Sequence, residues 1–328
     1  MAETIALIGG ETLLGREVRE VFGESSLGSE LRLVAADEEE SGKLTEVGGS
    51  ATFLAKLQPE AIEDAAVIVL AGTAASSKEA LADEPQGLVV DLVGYTEDRP
   101  DSQLRSPLIE SPNFRADFEG PQVVAHPAAT AIAILLTTLH RALPVARAIV
   151  HVFEPASERG RGGIDELQQQ SVSLFSFQPM PKKVFDAQVA FNMRPQWGEE
   201  APDNLQDVEE RIERHLASLL ERGNGAPMPS LRLIQAPVFH GYTLSLWVEF
   251  EESPNAGEVE EALAGDLIDL RAPDVEPPDN VGIAGQSGIA VGAISPDRNS
   301  ANAIWIWAAL DNLRLAAESA ALIVREAM

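Results

Sequence analysis

Along the first third of the chain, short runs of consecutive apolar residues alternate with segments whose apolar positions recur at helical spacing. Thr4 to Gly9 reads as a buried β-strand, Gly10 to Gly15 as a turn, and Gly15 to Phe22 as a helix carrying Val18, Val21 and Phe22 on one side. A second strand, Leu31 to Ala36, runs into the acidic stretch Asp37 to Glu40. Ala66 to Ala71 and Leu88 to Leu92 are further Val/Ile/Leu-rich runs with helix-compatible sequence between them. Strands that are apolar without alternation, separated by helices, predict a parallel sheet covered on both faces.

After Pro121 the texture changes. Gln122 to Ala125 is strand-like, His126-Pro127 forces a turn, and Ala128 to Leu143 is a strongly apolar helix. Ala146 to Phe153, Leu231 to Ala236 and Thr243 to Phe250 read as longer strands, several with alternation, which suits an α+β unit with a more antiparallel sheet. Gln196 to Asn204 and Arg271 to Asn280, rich in Pro, Gly and Asp, read as surface loops. Asp311 to Ala327 reads as an Ala/Leu-rich helix returning to the first unit. The predicted fold is α/β: a Rossmann-like domain of residues 1–127 plus the C-terminal segment 306–328, and a second α+β domain of residues 128–305.

The 328 residues contain no apolar run of the roughly 18 residues a membrane span needs. With 24 Lys and Arg against 52 Asp and Glu, the formal charge of -28 repels nucleic acid and anionic membrane surfaces. Neither is expected as a partner. The opening MAETIALIGG lacks the basic start and long apolar stretch of a signal peptide, so a cytoplasmic location is expected. Zero cysteines exclude disulfides, Fe–S clusters, Cys-ligated zinc and thiolate catalysis. His126, His140, His151, His215 and His240 show no metal-ligand spacing with carboxylates on one helix.

A turn between an N-terminal strand and a helix is where dinucleotide pyrophosphates sit, because free backbone N–H groups and the helix dipole favour anions. Here the turn is Gly9-Gly10-Glu11-Thr12-Leu13-Leu14-Gly15, with Thr12 at the middle position where glycine would let a phosphate approach the backbone. From end to end, the chain resembles the aspartate-semialdehyde dehydrogenase family. The landmarks are IALIGGETLLG with LRLVAADEEESGK, then AGTAASSKEA with its Gly72, HPAATAI, RGRGGIDEL, VFDAQVAFNMRPQ, IQAPVFHGYTLSL and WIWAALDNLRLAA. VFDAQVAFN and DNLR are the most specific. The resemblance implies a Rossmann-like domain, a second domain that dimerises and binds substrate, and a homodimer.

The family's catalytic pattern departs at each critical position. Its Asn-Pro-Asn-Cys-Ser/Thr reads His126-Pro127-Ala128-Ala129-Thr130, so the resemblance places Ala129 where a thiolate would attack the aldehyde or acyl phosphate. The family's active-site glutamine becomes Glu154. Its substrate-clamping arginine and its acid/base histidine become Gln235 and Tyr242, a pair that offers neither a bidentate cationic clamp nor a proton shuttle near neutral pH. A phosphate-binding arginine maps onto Thr96, with Arg99 three places away. His240, two residues before Tyr242, is expected to be structural.

The cofactor elements are eroded too. Ala36-Asp37-Glu38-Glu39-Glu40 would repel an adenosine 2′-phosphate, which makes NADP an unlikely cofactor, while Asp37 could bind the ribose diol of NAD. Glu11 is expected to occupy the positive end of the helix dipole in place of a phosphate. The family's DNLR-Lys-Gly reads DNLR-Leu315-Ala316, a further lost charge. The expectation is a pseudoenzyme with a binding or assembly role, a homodimer able to associate with an active relative. The rival expectation is an NAD-dependent oxidoreductase on another substrate, with Glu154, Tyr242 and His126 as a new acid/base set.

Overall fold

The computed structural model describes residues 4–36, 42–111 and 114–328, and the chain divides into two compact units, residues 1–125 with 316–328, and residues 126–315.

In the first unit β1 (Thr4–Ile8), α1 (Leu13–Gly23), β2 (Leu31–Val34), β3 (Leu44–Val47), β4 (Ser50–Phe53), β5 (Ala65–Leu70), α2 (Ala74–Ala80), β6 (Leu88–Asp91), β7 (Gln103–Arg105) and β8 (Gln122–Val124) follow in order. All strands but β3 and β4 form one parallel sheet of order β2-β1-β5-β6-β8-β7, and β3 and β4 make a separate antiparallel hairpin. The doubly wound arrangement follows from β1 and β5, in which all but one residue of each strand is buried and both faces are apolar. Ile5, Leu7, Val67 and Val69 pack with Val18 and Phe22 of α1 on one face, while Ala6, Ile8, Ile68 and Leu70 pack with Ile62 and Ala80 on the other. Arg105, fully buried, ends β7. It donates to Glu110 at 2.9 Å, Gln122 at 3.0 Å and Glu326 at 2.6 Å, and lies over the rings of Phe114 and Phe118.

The second unit begins at His126. Its elements are α3 (Pro127–Ala142), β9 (Val145–Glu154), α4 (Gly160–Ser176), α5 (Leu205–Arg222), β10 (Ser230–Gln235), β11 (Tyr242–Phe250), α6 (Ala256–Leu263), β12 (Ile268–Leu270), β13 (Ile289–Pro296) and β14 (Ala303–Leu310). The sheet order is β10-β9-β11-β14-β13-β12; β9, β11, β14 and β13 pair antiparallel and the two edge strands join parallel. Val150, Val152, Leu244, Leu246, Ile304 and Ile306 point into the unit, while Ile149, Phe153, Trp247, Trp305 and Trp307 lie on the opposite, partly open face.

The expected domain boundaries need correction here: His126 and Pro127, expected with the first domain, belong to the second unit, as do residues 306–315. Residues 306–310, expected with the first domain, are part of strand β14 of the second sheet, because the run Ala303 to Leu310 pairs along β11 and buries Ile304, Ile306, Ala308 and Leu310 on its inner face. Only from Ala316 does the last helix, α7 (Asn312–Ala327), belong to the first unit, where Ala317, Ala320, Ile323 and Val324 join its core. The hairpin β3–β4 was not anticipated, its strands being short and largely exposed.

Candidate functional site

In the first unit, the glycine turn is closed by its own bonds. Gly9, at φ +87°, and Gly10 donate their N–H groups to the Val34 carbonyl at 2.8 and 3.2 Å, and the Thr12 N–H donates to the Gly9 carbonyl at 3.0 Å. Thr12 caps α1 by accepting from the Gly15 N–H at 2.9 Å. Its hydroxyl reaches the Gly9 carbonyl at 2.9 Å and that of Ala71 at 2.7 Å. A side chain bonded on both sides therefore fills the place where bare glycine backbone would meet a pyrophosphate. The glycines have steric reasons to be there: a Cβ on Gly9 would sit 2.5 Å from Gly72 Cα, one on Gly15 2.0 Å from the Gly9 carbonyl oxygen, and one on Gly72 2.4 Å from Ser76 Oγ.

Glu11 does not sit as expected. Its carboxylate accepts from Arg16 at 2.8 Å, from Thr45 at 2.8 Å and from Arg19, and α1 begins after it with Leu13 and Leu14. Burial raises the Glu11 pKa, but the bonds from Thr45, Arg16 and Arg19 outweigh it and hold the group below the usual range. Ala36 closes the described part of this edge; Asp37, proposed as a ribose ligand, lies outside the described residues. Thr96 is buried in a turn, where its hydroxyl donates to Asp91 at 2.8 Å and its backbone N–H to the same carboxylate at 2.6 Å.

In the second unit, the sheet brings together three of the positions that the sequence resemblance singles out, Gln235, Glu154 and Tyr242. Gln235 pairs with Glu154 across β10 and β9, and the Thr243–Phe153 pairing sets Tyr242 opposite Glu154 on the other side. Directly paired residues share a face, so the three side chains form a row at one end of the sheet, all fully buried. His126, the N-cap of α3, places its ring 5.9 Å from that of Tyr242 and its Nε2 3.9 Å from Glu158. Ala129, in the first turn of α3, is fully buried and Thr130 nearly so.

These residues differ in how their polar atoms are satisfied. Gln235 is saturated: its amide donates to the carbonyls of Glu154 at 3.0 Å and Ala236 at 3.1 Å and accepts from the Trp197 indole at 3.1 Å. It is a structural strut where an arginine clamp was expected to be lost. His240 lies in the turn before β11, 2.8 Å from Asp311 and 3.1 Å from Ser157 Oγ. Glu158 accepts from Asn312 at 2.6 Å. By contrast, neither carboxyl oxygen of Glu154, nor the Tyr242 hydroxyl, nor Arg159 Nε has a hydrogen-bond partner among the described residues. Arg159 Nε stands 3.6 Å from Glu154, beyond hydrogen-bonding reach, while its Nη1 donates to Asp203 at 3.1 Å and the guanidinium lies over the Trp197 ring.

Burial dominates the electrostatics. It pushes the Glu154 carboxyl up to about 8; Arg159 opposes this, and Glu158 and Asp203 add to it. Glu158 is raised as well, chiefly by burial, against Arg159 and Asn312. The Tyr242 phenol is raised well above its ordinary value by burial and by the Glu158 and Glu154 charges. At neutral pH, then, this end of the sheet carries a carboxylic acid, an un-ionised phenol and a buried cation. Sequence reasoning missed Arg159, Trp197 and Asn312; the signal available was the RGRGG landmark, which begins at Arg159. It also missed why VFDAQVAFN stands out. Glu166 accepts from the N–H groups of Lys183, Val184 and Phe185, and Gln170, one turn on, accepts from those of Val189 and Ala190, so two side chains of α4 fix that segment.

Residues 136–315 match the semialdehyde dehydrogenase dimerisation domain. The chain is similar to the aspartate-semialdehyde dehydrogenase of Rickettsia bellii, 25% identical over 94% of this chain and 93% of that one. It is also 28% identical to a USG-1 protein homolog of Azotobacter vinelandii, over 94% and 93% of the two chains. Among solved structures, aspartate semialdehyde dehydrogenase II of Vibrio cholerae superposes with a TM-score of 0.84 at 22% identity, covering 99% of each chain, a likeness of fold.

Proposed function

The chain belongs to the semialdehyde dehydrogenase family, and from that premise we propose that it is a homodimeric member that performs no semialdehyde oxidation and uses its altered pocket for binding. One observation carries this reading. The position that the sequence resemblance assigns to the nucleophile is a fully buried alanine, and the positions it assigns to the substrate clamp and the acid/base group are a glutamine and a tyrosine. A methyl group has no lone pair to form a thioester. Gln235, held on three sides, cannot turn to grip a carboxylate, and glutamine in any case lacks the charge-assisted fork of arginine. The turn that would receive a dinucleotide is filled by Thr12 in the way described above, which supports weak or absent NADP binding; NAD remains the dinucleotide to titrate.

The outward face of the second sheet supports the homodimer, with Ile149 and Trp305 exposed beside the half-buried Phe153, Trp247 and Trp307. Association with an active relative would use the same face. No helix among the described residues is long and apolar enough to cross a membrane. The test of the reading is phosphate-dependent oxidation of aspartate semialdehyde, followed at the reduced-nicotinamide absorbance with either dinucleotide. No turnover above a protein-free control is expected, and measurable turnover by the unmodified chain would overturn the proposal.

A further inference from the structure

The end of the second sheet holds a set of unsatisfied groups that the loss of a nucleophile does not explain. Both oxygens of Glu154 are buried and without hydrogen bonds, as is the Tyr242 hydroxyl. The strand register puts these two side chains on one face, in adjacent strands. Arg159 Nε, also unpartnered, faces Glu154 from 3.6 Å, too far to bond it and close enough for one small group to touch both. Around them the other polar groups are committed: Gln235 to Trp197 and two carbonyls, Glu158 to Asn312. Of the three unsatisfied side chains only Arg159 reaches solvent, at 16% exposure, beside the exposed Asp203.

The chemistry of the missing partner can be read from what is unsatisfied. Glu154, protonated at neutral pH, has a carbonyl oxygen that calls for an N–H donor and an O–H that calls for an acceptor, and the Tyr242 hydroxyl and Arg159 Nε–H call for an acceptor oxygen beside them. A carboxylate could accept from the acid O–H, the phenol and the guanidinium, but it would leave the carbonyl oxygen of Glu154 without a donor. An ammonium offers no acceptor to the phenol and the guanidinium, and an aldehyde or ketone has no donor at all. A primary amide has two N–H donors and a carbonyl on one carbon. Against a protonated Glu154 it can also pair bidentately, N–H to the acid carbonyl and acid O–H to the amide carbonyl. We propose that Glu154, Tyr242 and Arg159 form a recognition site for a primary carboxamide. The inference rests on the reading of this pocket as one that binds and does not oxidise.

Butanamide and butanoate, alike in shape, are the probes, measured by ligand-observed saturation-transfer NMR on the full chain at neutral pH. Butanamide is expected to bind with a Kd of about 1–10 mM, the range open to so small a fragment, and butanoate at least about tenfold more weakly. Glu154→Leu, which removes both the donor and the acceptor, and Tyr242→Phe should each weaken butanamide by about fivefold or more. Tyr242→Phe removes one hydroxyl without changing the packing of the ring, so it keeps the test open if Glu154→Leu fails to fold. Equal binding of the two probes overturns the proposal, as does butanamide affinity unchanged in both variants. If neither probe gives saturation transfer at about 20 mM, the groups are satisfied by water alone and the proposal fails. Dehydrogenase turnover would instead defeat the underlying reading, so the two failures are distinguishable.

Discussion

Replacing Glu154 with glutamine tests the electrostatics of the pocket directly, since the side chain keeps its shape and loses only the ability to ionise. The carboxyl rises from 4.5 to about 8 on folding, mainly because burial disfavours its charge. A carboxyl raised in the folded state binds more protons folded than unfolded between those two values, so its contribution to stability is fully present below the unfolded pKa and declines as pH rises through the folded one. At about 1.4 kcal/mol per pH unit, the linkage amounts to roughly 3 kcal/mol between about pH 5.5 and 8, against a limit of about 5 kcal/mol for the whole shift. In Glu154→Gln that slope is absent. The variant and the parent should therefore be of similar stability near pH 5, with the variant ahead by about 3 kcal/mol at pH 8. Urea unfolding followed by tryptophan fluorescence is the assay, because Trp197, Trp247, Trp305 and Trp307, the four tryptophans of the chain, all lie in the second unit. Titrations common to both proteins cancel in the difference. A difference that changes by less than about 1 kcal/mol over that range, or that shrinks with rising pH, would refute the assignment of Glu154 as a buried neutral acid.

Ala129→Cys alone is expected to leave aspartate-semialdehyde oxidation at background in the absorbance assay. The thiol would be restored, but an arginine contact worth roughly 1.5–3 kcal/mol is still missing at Gln235, and acid/base catalysis worth about two to four decades is missing at Tyr242. Robust turnover by the single variant would show those positions to matter little. Arg105→Ala strips the buried carboxylate Glu110 of its partner and should destabilise the first unit by about 3–5 kcal/mol, read by far-UV circular dichroism in urea together with hydrogen exchange across α7; a loss below about 1 kcal/mol contradicts the buried network. Trp305→Glu, at the exposed centre of the outward sheet face, should convert the dimer to monomer at micromolar concentration in sedimentation velocity, while an unchanged dimer would move the interface elsewhere.

The parallel sheet was legible because its central strands are buried on both faces and so appear in the sequence as unbroken apolar runs. The hairpin β3–β4 was not, since Leu44 and Phe53, its largest apolar side chains, are exposed and the strands carry no buried face to announce them. The run Ala303 to Leu310 misled for the opposite reason. It is apolar on both faces, so no polar alternation separates it from the helix that follows, and only its pairing with β11 shows where it belongs. At the candidate site, the motifs singled out Glu154, Gln235 and Tyr242, which the sheet register sets in one row, but nothing in the motifs gave the states of these side chains. Gln235 is satisfied by Trp197, 38 residues away, through a bridge in which Arg194 exchanges backbone hydrogen bonds with Gln235, and no local pattern predicts such a contact. Thr96 is different: its partner Asp91 is five residues upstream, and an Asp followed by a Gly- and Thr-bearing turn could have suggested the bond.

The positions singled out by the sequence resemblance fall into two groups, and the division bears on whether this end of the sheet is in use. Thr12, Thr96 and Gln235 have each acquired partners that satisfy their polar atoms, so each stabilises the fold where it stands. Glu154 and Tyr242 have not. A buried polar group without a partner costs about 1–3 kcal/mol, and an acid forced to remain neutral adds the pH-linked cost worked out above. Relief is a short step away, because a glutamine would end the linkage and a phenylalanine would end the orphaned hydroxyl. A site kept only as scaffold has no reason to carry both burdens side by side in adjacent strands, when Gln235 in the same row is fully bonded. Groups left unsatisfied in this way stabilise a bound molecule that satisfies them, and the energy missing from the empty fold becomes available to binding. On physical grounds, Glu154 and Tyr242 therefore belong with the working parts of the protein, and Gln235 and Thr96 with its frame.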